Sequence, residues 1–136
     1  MKNNYSVFLI DNNEIDNFIN QRVLKNFSES ITVFAFSSDT DALEYLQKNK
    51  ITPQYILLSL NYPTTNDSDF FEQYEKLDFD NKNTSIYILS TLLLPSDIEK
   101  LNTDYKHIGY IEKPLSAEKW LRVMNTRRLK AEITPF

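Results

Sequence analysis

One short apolar run constrains the fold more than any other part of the sequence. It is Ile56-Leu57-Leu58, within the segment from Tyr55 to Pro63, and it shows no alternation of apolar and polar residues. A strand that is apolar on both faces is typical of the centre of a parallel sheet covered by helices on both sides. Pro63 cannot donate to a neighbouring strand, so the strand ends before it, close to Ser59. The run predicts a buried central strand with a polar carboxyl end.

Strand and helix patterns alternate along the rest of the chain. The other predicted strands are Tyr5–Ile10, Ile31–Phe36, Ser85–Ser90 and His107–Ile111. Each strand is followed by apolar residues at helical spacing. Five successive strand–helix units predict an α/β fold with a doubly wound parallel sheet and right-handed crossovers.

Capping residues and apolar stripes mark the five predicted helices. The first runs from about Glu14 to Asn26, with Phe18, Ile19 and Val23 on one face and Asn12 or Asn13 as its cap. The other predicted stripes are Ala42, Leu43 and Leu46 in the second helix, Phe70, Phe71, Tyr74 and Leu77 in the third, and Ile98 and Leu101 in the fourth. Ser38 or Asp39 caps the second helix, and Ser116 caps the fifth, which extends to about Lys130.

Polar residues follow the predicted strands at their carboxyl ends. They are Asp11-Asn12, Ser59, Ser90 and Glu112-Lys113. In doubly wound sheets, sites form at these ends, near the switch in strand order. We therefore expect an acid, two hydroxyls and a lysine to lie close together.

Composition excludes several classes of site. The chain of 136 residues has no cysteine and one histidine, which excludes disulfides, thiolate catalysis and cysteine-ligated zinc and argues against a Ser-His triad. A net charge of −4 argues against nucleic acid as a partner. No apolar run reaches the roughly 18 residues of a membrane span, and the first residues do not resemble a signal peptide, so we expect a cytoplasmic protein and no membrane partner. Length predicts one domain, residues 1–130, with a frayed tail at 131–136.

Four segments form a combined pattern at the predicted sheet edge. They are Phe8–Glu14, Ile56–Pro63, Ile88–Thr91 and Gly109–Pro114. As a group they resemble the receiver domain of response regulators in two-component signalling, over nearly the whole chain. The resemblance implies a flavodoxin-like (βα)5 fold with strand order 2-1-3-4-5. No output domain follows in this sequence, so we expect a stand-alone receiver.

The resemblance also implies a role for each residue of the pocket, and two positions depart from the family pattern. Ser59 stands where the family has its phosphoacceptor aspartate. Asp11 matches the first member of a metal-binding acidic pair, but its neighbour is Asn12. Ser90 matches the hydroxyl after strand four, and Lys113 matches the lysine before a proline, a bond that is often cis in this family.

These departures predict a degenerate receiver, meaning one that has lost its acceptor chemistry. A carboxylate is already an anionic nucleophile, whereas a serine hydroxyl needs a base, and His107 is predicted at the opposite end of its strand. Metal ligation falls to Asp11 and the backbone carbonyl of Asn61, so we expect Mg²⁺ to bind weakly or not at all, and no other cofactor. We predict no catalytic residue and no enzyme activity. The favoured role of Asp11 and Lys113 is a structural ion pair.

Partners and alternatives also follow from the resemblance. A sensor histidine kinase or another signalling protein is the expected partner, and a second copy of the chain is a further candidate. The expected surface joins the fourth helix, strand five and the fifth helix, with the switch residue Tyr110 and the apolar run Leu92-Leu93-Leu94. Trp120 is expected in the core rather than at a partner surface.

Purely structural roles for these residues, and other functions for the chain, stay open. Asp11 could cap a turn, and Ser59 and Ser90 could be ordinary strand-end residues that satisfy loop amides. The main functional alternative is a working phosphorelay receiver with a non-standard acceptor. A flavodoxin-like nucleotide or flavin enzyme is disfavoured, because the turn after strand one lacks a glycine- or hydroxyl-rich phosphate cradle.

Overall fold

Five parallel strands form one sheet in the order β2-β1-β3-β4-β5. They are β1 (Tyr5–Ile10), β2 (Ile31–Phe36), β3 (Tyr55–Ser59), β4 (Ser85–Ser90) and β5 (Ile108–Glu112). The computed structural model describes residues 4–49, 51–59, 67–77, 84–91 and 108–129. The predicted fold class and strand order are confirmed, and β5 ends one residue later than predicted.

Four helices lie in the described residues: α1 (Glu14–Phe27), α2 (Asp39–Asn49), α3 (Asp67–Glu75) and α4 (Ala117–Leu129). The predicted fifth helix is α4, while the predicted fourth helix and the tail at 131–136 lie outside the described residues. The α3 helix begins inside the segment predicted as loop. None of these helices is long and apolar enough to cross a membrane.

Side-chain caps fix where the helices begin. The Asn13 Oδ1 accepts from the N–H groups of Ile15 and Asp16, at 3.0 and 3.1 Å. The Oγ atoms of Ser38 and Ser116 accept from backbone N–H groups three residues later, at 3.1 and 3.2 Å. These caps were predicted from sequence because they satisfy otherwise unpaired N–H groups of the first turn.

The central strand β3 separates two apolar layers. Ile56 and Leu58 belong to the layer that α2 and α3 cover, and Leu57 belongs to the layer that α1 and α4 cover. All three residues are at most 5% exposed. This confirms the interpretation of the unalternating apolar run, since each face of the strand meets its own layer.

Trp120 anchors α4 to the sheet. It is fully buried, its ring centroid lies 4.7 Å from that of Tyr55, and its Nε1 donates to the Tyr5 hydroxyl at 3.2 Å. The indole therefore keeps its polar atom paired while its ring fills the core. The prediction that Trp120 is a core residue is confirmed.

Part of the predicted apolar face of α1 points away from the core. Phe18 is 60% exposed and Ile19 is 49% exposed, whereas Asn17, Asn20 and Leu24 are buried. Val23 packs against the core layer that contains Leu24, so the predicted apolar stripe is confirmed at Val23 and wrong at Phe18 and Ile19, although the helix itself is where it was predicted. Asn17 faces the sheet edge instead, where it forms the hydrogen bonds described below.

Candidate functional site

The register of the sheet brings the polar strand ends to one edge. Ile10 lies opposite Leu58, so Asp11 and Ser59 each follow one residue later on neighbouring strands. Ser90 lies opposite Glu112, and the Lys113 N–H donates to the Ser90 carbonyl at 2.8 Å. The meeting of these segments was predicted because parallel strands end at the same edge.

Asp11 is almost fully buried and uses both carboxylate oxygens. Its Oδ1 accepts from the Asn13 N–H at 2.9 Å, and its Oδ2 accepts from the Lys113 Nζ at 3.2 Å. The side chain is 2% exposed. Asp11 thus holds the turn into α1 and also pairs with Lys113, so the turn-capping and ion-pair interpretations both describe real contacts.

Lys113 lies between two carboxylates. Its Nζ is 3.2 Å from the Asp11 Oδ2 and 3.3 Å from the Asp16 Oδ2, and its side chain is 12% exposed. Asp16 was not predicted as a site residue. Its sequence signal is an acid in the first turn of the helix that follows Asp11, but such acids are common because they favour helix N-termini. The described charges at this point sum to −1, from two carboxylates and one ammonium.

Asn17 is a second residue that sequence reasoning missed. Its Nδ2 donates to the backbone carbonyls of Asp11 and Phe36, both at 3.0 Å. The Asp11 carbonyl comes directly after β1, and the Phe36 carbonyl belongs to the last residue of β2. One side-chain amide therefore joins α1 to the ends of two strands. The Phe36 carbonyl also accepts from the Asp11 N–H at 3.0 Å, so Asn17 is a second donor to it, and the Asn17 Oδ1 is buried with no hydrogen-bond partner among the described residues. Asn17 therefore lies on the inward side of the first turns of α1, and Val23, Leu24 and Phe27 pack its later turns against the core.

The two predicted hydroxyls differ in their surroundings. Ser90 is 2% exposed at the end of β4. The Ser59 Oγ is buried, and no atom of the described residues accepts or donates a hydrogen bond to it. No described side chain is therefore placed to remove its proton, and His107 lies outside the described residues. A serine hydroxyl in this setting is a weak nucleophile.

The described residues do not fit a divalent metal of the kind that the receiver fold implies. Mg²⁺ requires hard oxygen ligands, usually including carboxylates whose charge is available to it. Both oxygens of Asp11 are already engaged, one of them by an ammonium. No group of three acidic, histidine or cysteine side chains in the described part of the chain could hold a metal ion. Asn61, predicted to contribute a carbonyl, lies outside the described residues.

The remaining predicted residues occupy different settings. Asn12 is exposed beside the pocket, and the Lys113–Pro114 peptide bond is cis. Tyr110 is 1% exposed, so in this structure its ring lies in the core layer that includes Ile88. Burial raises the pKa of the Tyr110 phenol to about 12. Leu92, Leu93 and Leu94 lie outside the described residues, so the surface predicted around them stays a prediction.

Solved structures share this architecture. A response regulator receiver protein from Dyadobacter fermentans is 26% identical, with a TM-score of 0.72, and the match covers 91% of this chain and 97% of that one. A two-component response regulator from Cytophaga hutchinsonii is 22% identical, with a TM-score of 0.77 and coverages of 94% and 99%. One from Legionella pneumophila is 24% identical, with a TM-score of 0.74 and the same coverages.

These matches confirm the receiver fold that was inferred from the four sequence segments. No protein-family model matches the chain, and no curated protein sequence matches it. The likeness is therefore carried by the three-dimensional arrangement. The chemistry of the pocket has to be argued from this chain's own residues.

Proposed function

We propose that this chain is a receiver-like module of two-component signalling that acts through protein contacts independently of phosphorylation. The proposal is supported by a receiver fold whose β3 ends in Ser59 where the family has an aspartate. Its expected partner is a sensor histidine kinase or another cytoplasmic signalling protein. In this proposal the chain is not an enzyme.

The observation that carries the proposal is the state of the pocket around Ser59. A receiver accepts a phosphoryl group on a carboxylate, which needs no base. Ser59 offers a neutral hydroxyl whose Oγ has no hydrogen-bond partner among the described residues. An acyl phosphate cannot form on a serine side chain, because the group that would be phosphorylated is an alcohol.

The charge arrangement supports the same conclusion. Phosphoryl transfer depends on cations that neutralise the transferred group. Among the described residues, the cation at this edge is the Lys113 ammonium, and it is already held by Asp11 and Asp16 at 3.2 and 3.3 Å. A phosphoryl group placed here would meet two carboxylates and one engaged ammonium, without the set of carboxylates that binds Mg²⁺.

The ion pair then acquires a structural role. Asp11 follows β1, Asp16 lies in α1 and Lys113 follows β5, so the three charged groups tie together elements far apart in sequence. In the proposed function this arrangement holds one conformation of the domain, and its surface is the signal that partners recognise. The predicted partner surface at Tyr110 and 92–94 remains part of the proposal.

The first test is exposure of the purified chain to acetyl phosphate, and separately to beryllofluoride, each with Mg²⁺. We expect no added phosphoryl group by intact-mass spectrometry and no change in the amide NMR spectrum. A stoichiometric, hydroxylamine-sensitive phosphoryl group on the wild-type chain would overturn the proposal. Peptide mapping would then show whether Asp11 or Asp16 carries it.

A matched set of variants controls for the placement of the pocket. The double substitution Asn12→Asp with Ser59→Asp restores two carboxylates, so we expect Mg²⁺ binding by isothermal titration calorimetry where the wild type shows none. Ser59→Ala, which changes no charge, should behave as the wild type. If the double variant gains no Mg²⁺ affinity, Ser59 and Asn12 do not face a common site and the assignment of the pocket is wrong.

A further inference from the structure

Three apolar side chains form an exposed stripe on α1. Ile15 is 69% exposed, Phe18 is 60% exposed and Ile19 is 49% exposed. Residues three and four apart lie on the same face of a helix, so the three are neighbours and form what we call the α1 stripe. Exposed apolar residues scattered singly are ordinary in a monomer, whereas adjacent ones mark a surface that another molecule covers.

Opposite charges stand at the two ends of the α1 stripe. Glu14 is exposed at its amino-terminal end and Arg22 is exposed at its carboxyl-terminal end. The Arg22 guanidinium carbon lies 5.8 Å from the centroid of the Phe18 ring, so the cation is held over the stripe. Glu14 and Arg22 are eight residues apart, about 12 Å along the helix axis, so they do not pair within one helix.

The other charged groups of α1 leave this pattern intact. Asp16 is engaged by Lys113 at 3.3 Å. Lys25 is exposed one turn beyond Arg22 and adds to the positive end. The exposed face of α1 therefore runs from acidic through apolar to basic along its length.

We propose that a second copy of this chain covers the α1 stripe, with the two α1 helices packed antiparallel about a two-fold axis near Phe18 and Ile19. Reversing the helix places the acidic end of each copy against the basic end of the other, so Glu14 meets the partner's Arg22 twice. A two-fold interface is self-complementary, which this pattern satisfies. A parallel arrangement would bring like charges together and is disfavoured.

The size of the surface sets the strength expected of the dimer. A stable interface buries about 800 Å² per partner, and three side chains supply only part of that area. The helix α4 contacts α1 and exposes one further large apolar side chain, Leu121, at 49%. We expect a weak dimer with a Kd on the order of 10–100 µM.

Reciprocal charge substitution tests the geometry. Glu14→Arg and Arg22→Glu are each expected to weaken the dimer about tenfold or more, because each places like charges together twice. The double variant Glu14→Arg with Arg22→Glu recreates the opposite pairing and should return the Kd to within about threefold of wild type. Sedimentation velocity over a concentration series measures all four Kd values.

Two further variants control the experiment. Glu44→Arg changes an exposed acid of α2, on the other face of the sheet, and should leave the Kd unchanged. Phe18→Ser removes the centre of the α1 stripe and should abolish dimerisation while the circular dichroism spectrum is retained. The latter separates loss of the interface from loss of the fold.

A wild-type chain that stays monomeric up to about 1 mM overturns the proposal, since that is well above the expected Kd. A monomeric wild type is also the outcome expected if the α1 stripe serves a different protein. A wild type that dimerises, with a double charge variant that fails to recover the dimer, overturns the antiparallel pairing of Glu14 with Arg22. The dimer depends on α1 and not on Ser59, so its failure leaves the proposed function intact, and phosphorylation of the wild type leaves the dimer intact.

Discussion

Replacing Lys113 by methionine should lower the free energy of unfolding, because the buried Asp11 carboxylate would lose the cation that it pairs with. Methionine keeps much of the apolar length of the lysine side chain and removes its charge. The Asp11 carboxylate would stay 98% buried, with one remaining hydrogen bond from the Asn13 N–H at 2.9 Å. Removing one partner of a buried ion pair costs roughly 3–5 kcal/mol, because the other charge is left uncompensated.

The lower end of that range applies here. Lys113 is 12% exposed, so water reaches part of the ammonium in the native protein, and the Asn13 N–H still stabilises the carboxylate afterwards. We expect the free energy of unfolding to fall by about 3 kcal/mol and the Tm to fall by about 10 °C. Urea unfolding monitored by Trp120 fluorescence measures the first quantity, and circular dichroism the second.

The two carboxylates that contact Lys113 provide a matched comparison. Asp11 and Asp16 lie at nearly the same distance from the Nζ, 3.2 and 3.3 Å, but their side chains are 2% and 40% exposed. Adding Asp11→Asn to Lys113→Met should recover most of the lost stability, because no buried charge remains. Adding Asp16→Asn should recover little, since a half-exposed pair contributes at most about 1 kcal/mol.

Double-mutant cycles give the coupling energy of each pair directly. We expect about 2–3 kcal/mol for Lys113 with Asp11 and under about 1 kcal/mol for Lys113 with Asp16. Equal coupling energies for the two pairs would refute the reasoning, because burial is the property that separates them. A loss below about 1 kcal/mol for Lys113→Met alone would show that Asp11 does not depend on the ammonium.

Two further predictions concern β5. Gly109→Ala should lower the free energy of unfolding by about 1–3 kcal/mol, because the added Cβ would collide with the Tyr87 ring. Urea titration measures this loss, and an unchanged midpoint would mean that the ring moves aside at no cost. Tyr110 should make the free energy of unfolding fall at alkaline pH. Its phenol is protonated in both states below pH 10, and above that pH it ionises in the unfolded chain near the ordinary pKa of 10.0 but in the folded chain only at a pKa of about 12. The free energy of unfolding therefore falls by up to about 2–3 kcal/mol between these two pH values. Tyr110→Phe should remove this part of the alkaline loss, and an identical pH profile for the variant would place the loss elsewhere.

The predicted surface for partners and the α1 stripe lie on different elements. The former was placed on the fourth and fifth predicted helices and β5, and Tyr110 is buried in the structure. The latter is visible only once the rotation of α1 is known. A chain with two such surfaces could dimerise and bind a signalling partner at once, and the α1 variants allow the two contacts to be separated.

Much of the candidate site was predictable from sequence because its parts are local signals. Each strand end is marked by a change from apolar to polar residues, and parallel strands end at one edge whatever connects them. The sequence therefore predicted that one edge of the sheet carries Asp11, Ser59, Ser90 and Lys113, and the strand register places them there. The caps at Asn13, Ser38 and Ser116 were predictable for a related reason, since a cap contacts N–H groups only two or three residues away.

Asp16 and Asn17 escaped prediction because their partners are distant in sequence. Asp16 contacts Lys113, which is 97 residues away, and Asn17 contacts the Phe36 carbonyl, which is 19 residues away. Neither residue has a pattern that distinguishes it from an ordinary polar residue in the first turns of a helix. Which of them faces the sheet depends on how α1 rotates.

The sequence by itself determined the alternation of strands and helices, the buried central strand and the presence of a hydroxyl, Ser59, at the carboxyl end of that strand. Periodicity, capping and residue identity are all local properties, and they are present before the chain folds. Tertiary structure alone decided the rotation of α1, which buries Asn17 and leaves Phe18 exposed. The physical reason is that the Asn17 amide binds carbonyls of two strand ends that meet only in the folded protein, so no property local to α1 specifies which of its faces turns inward.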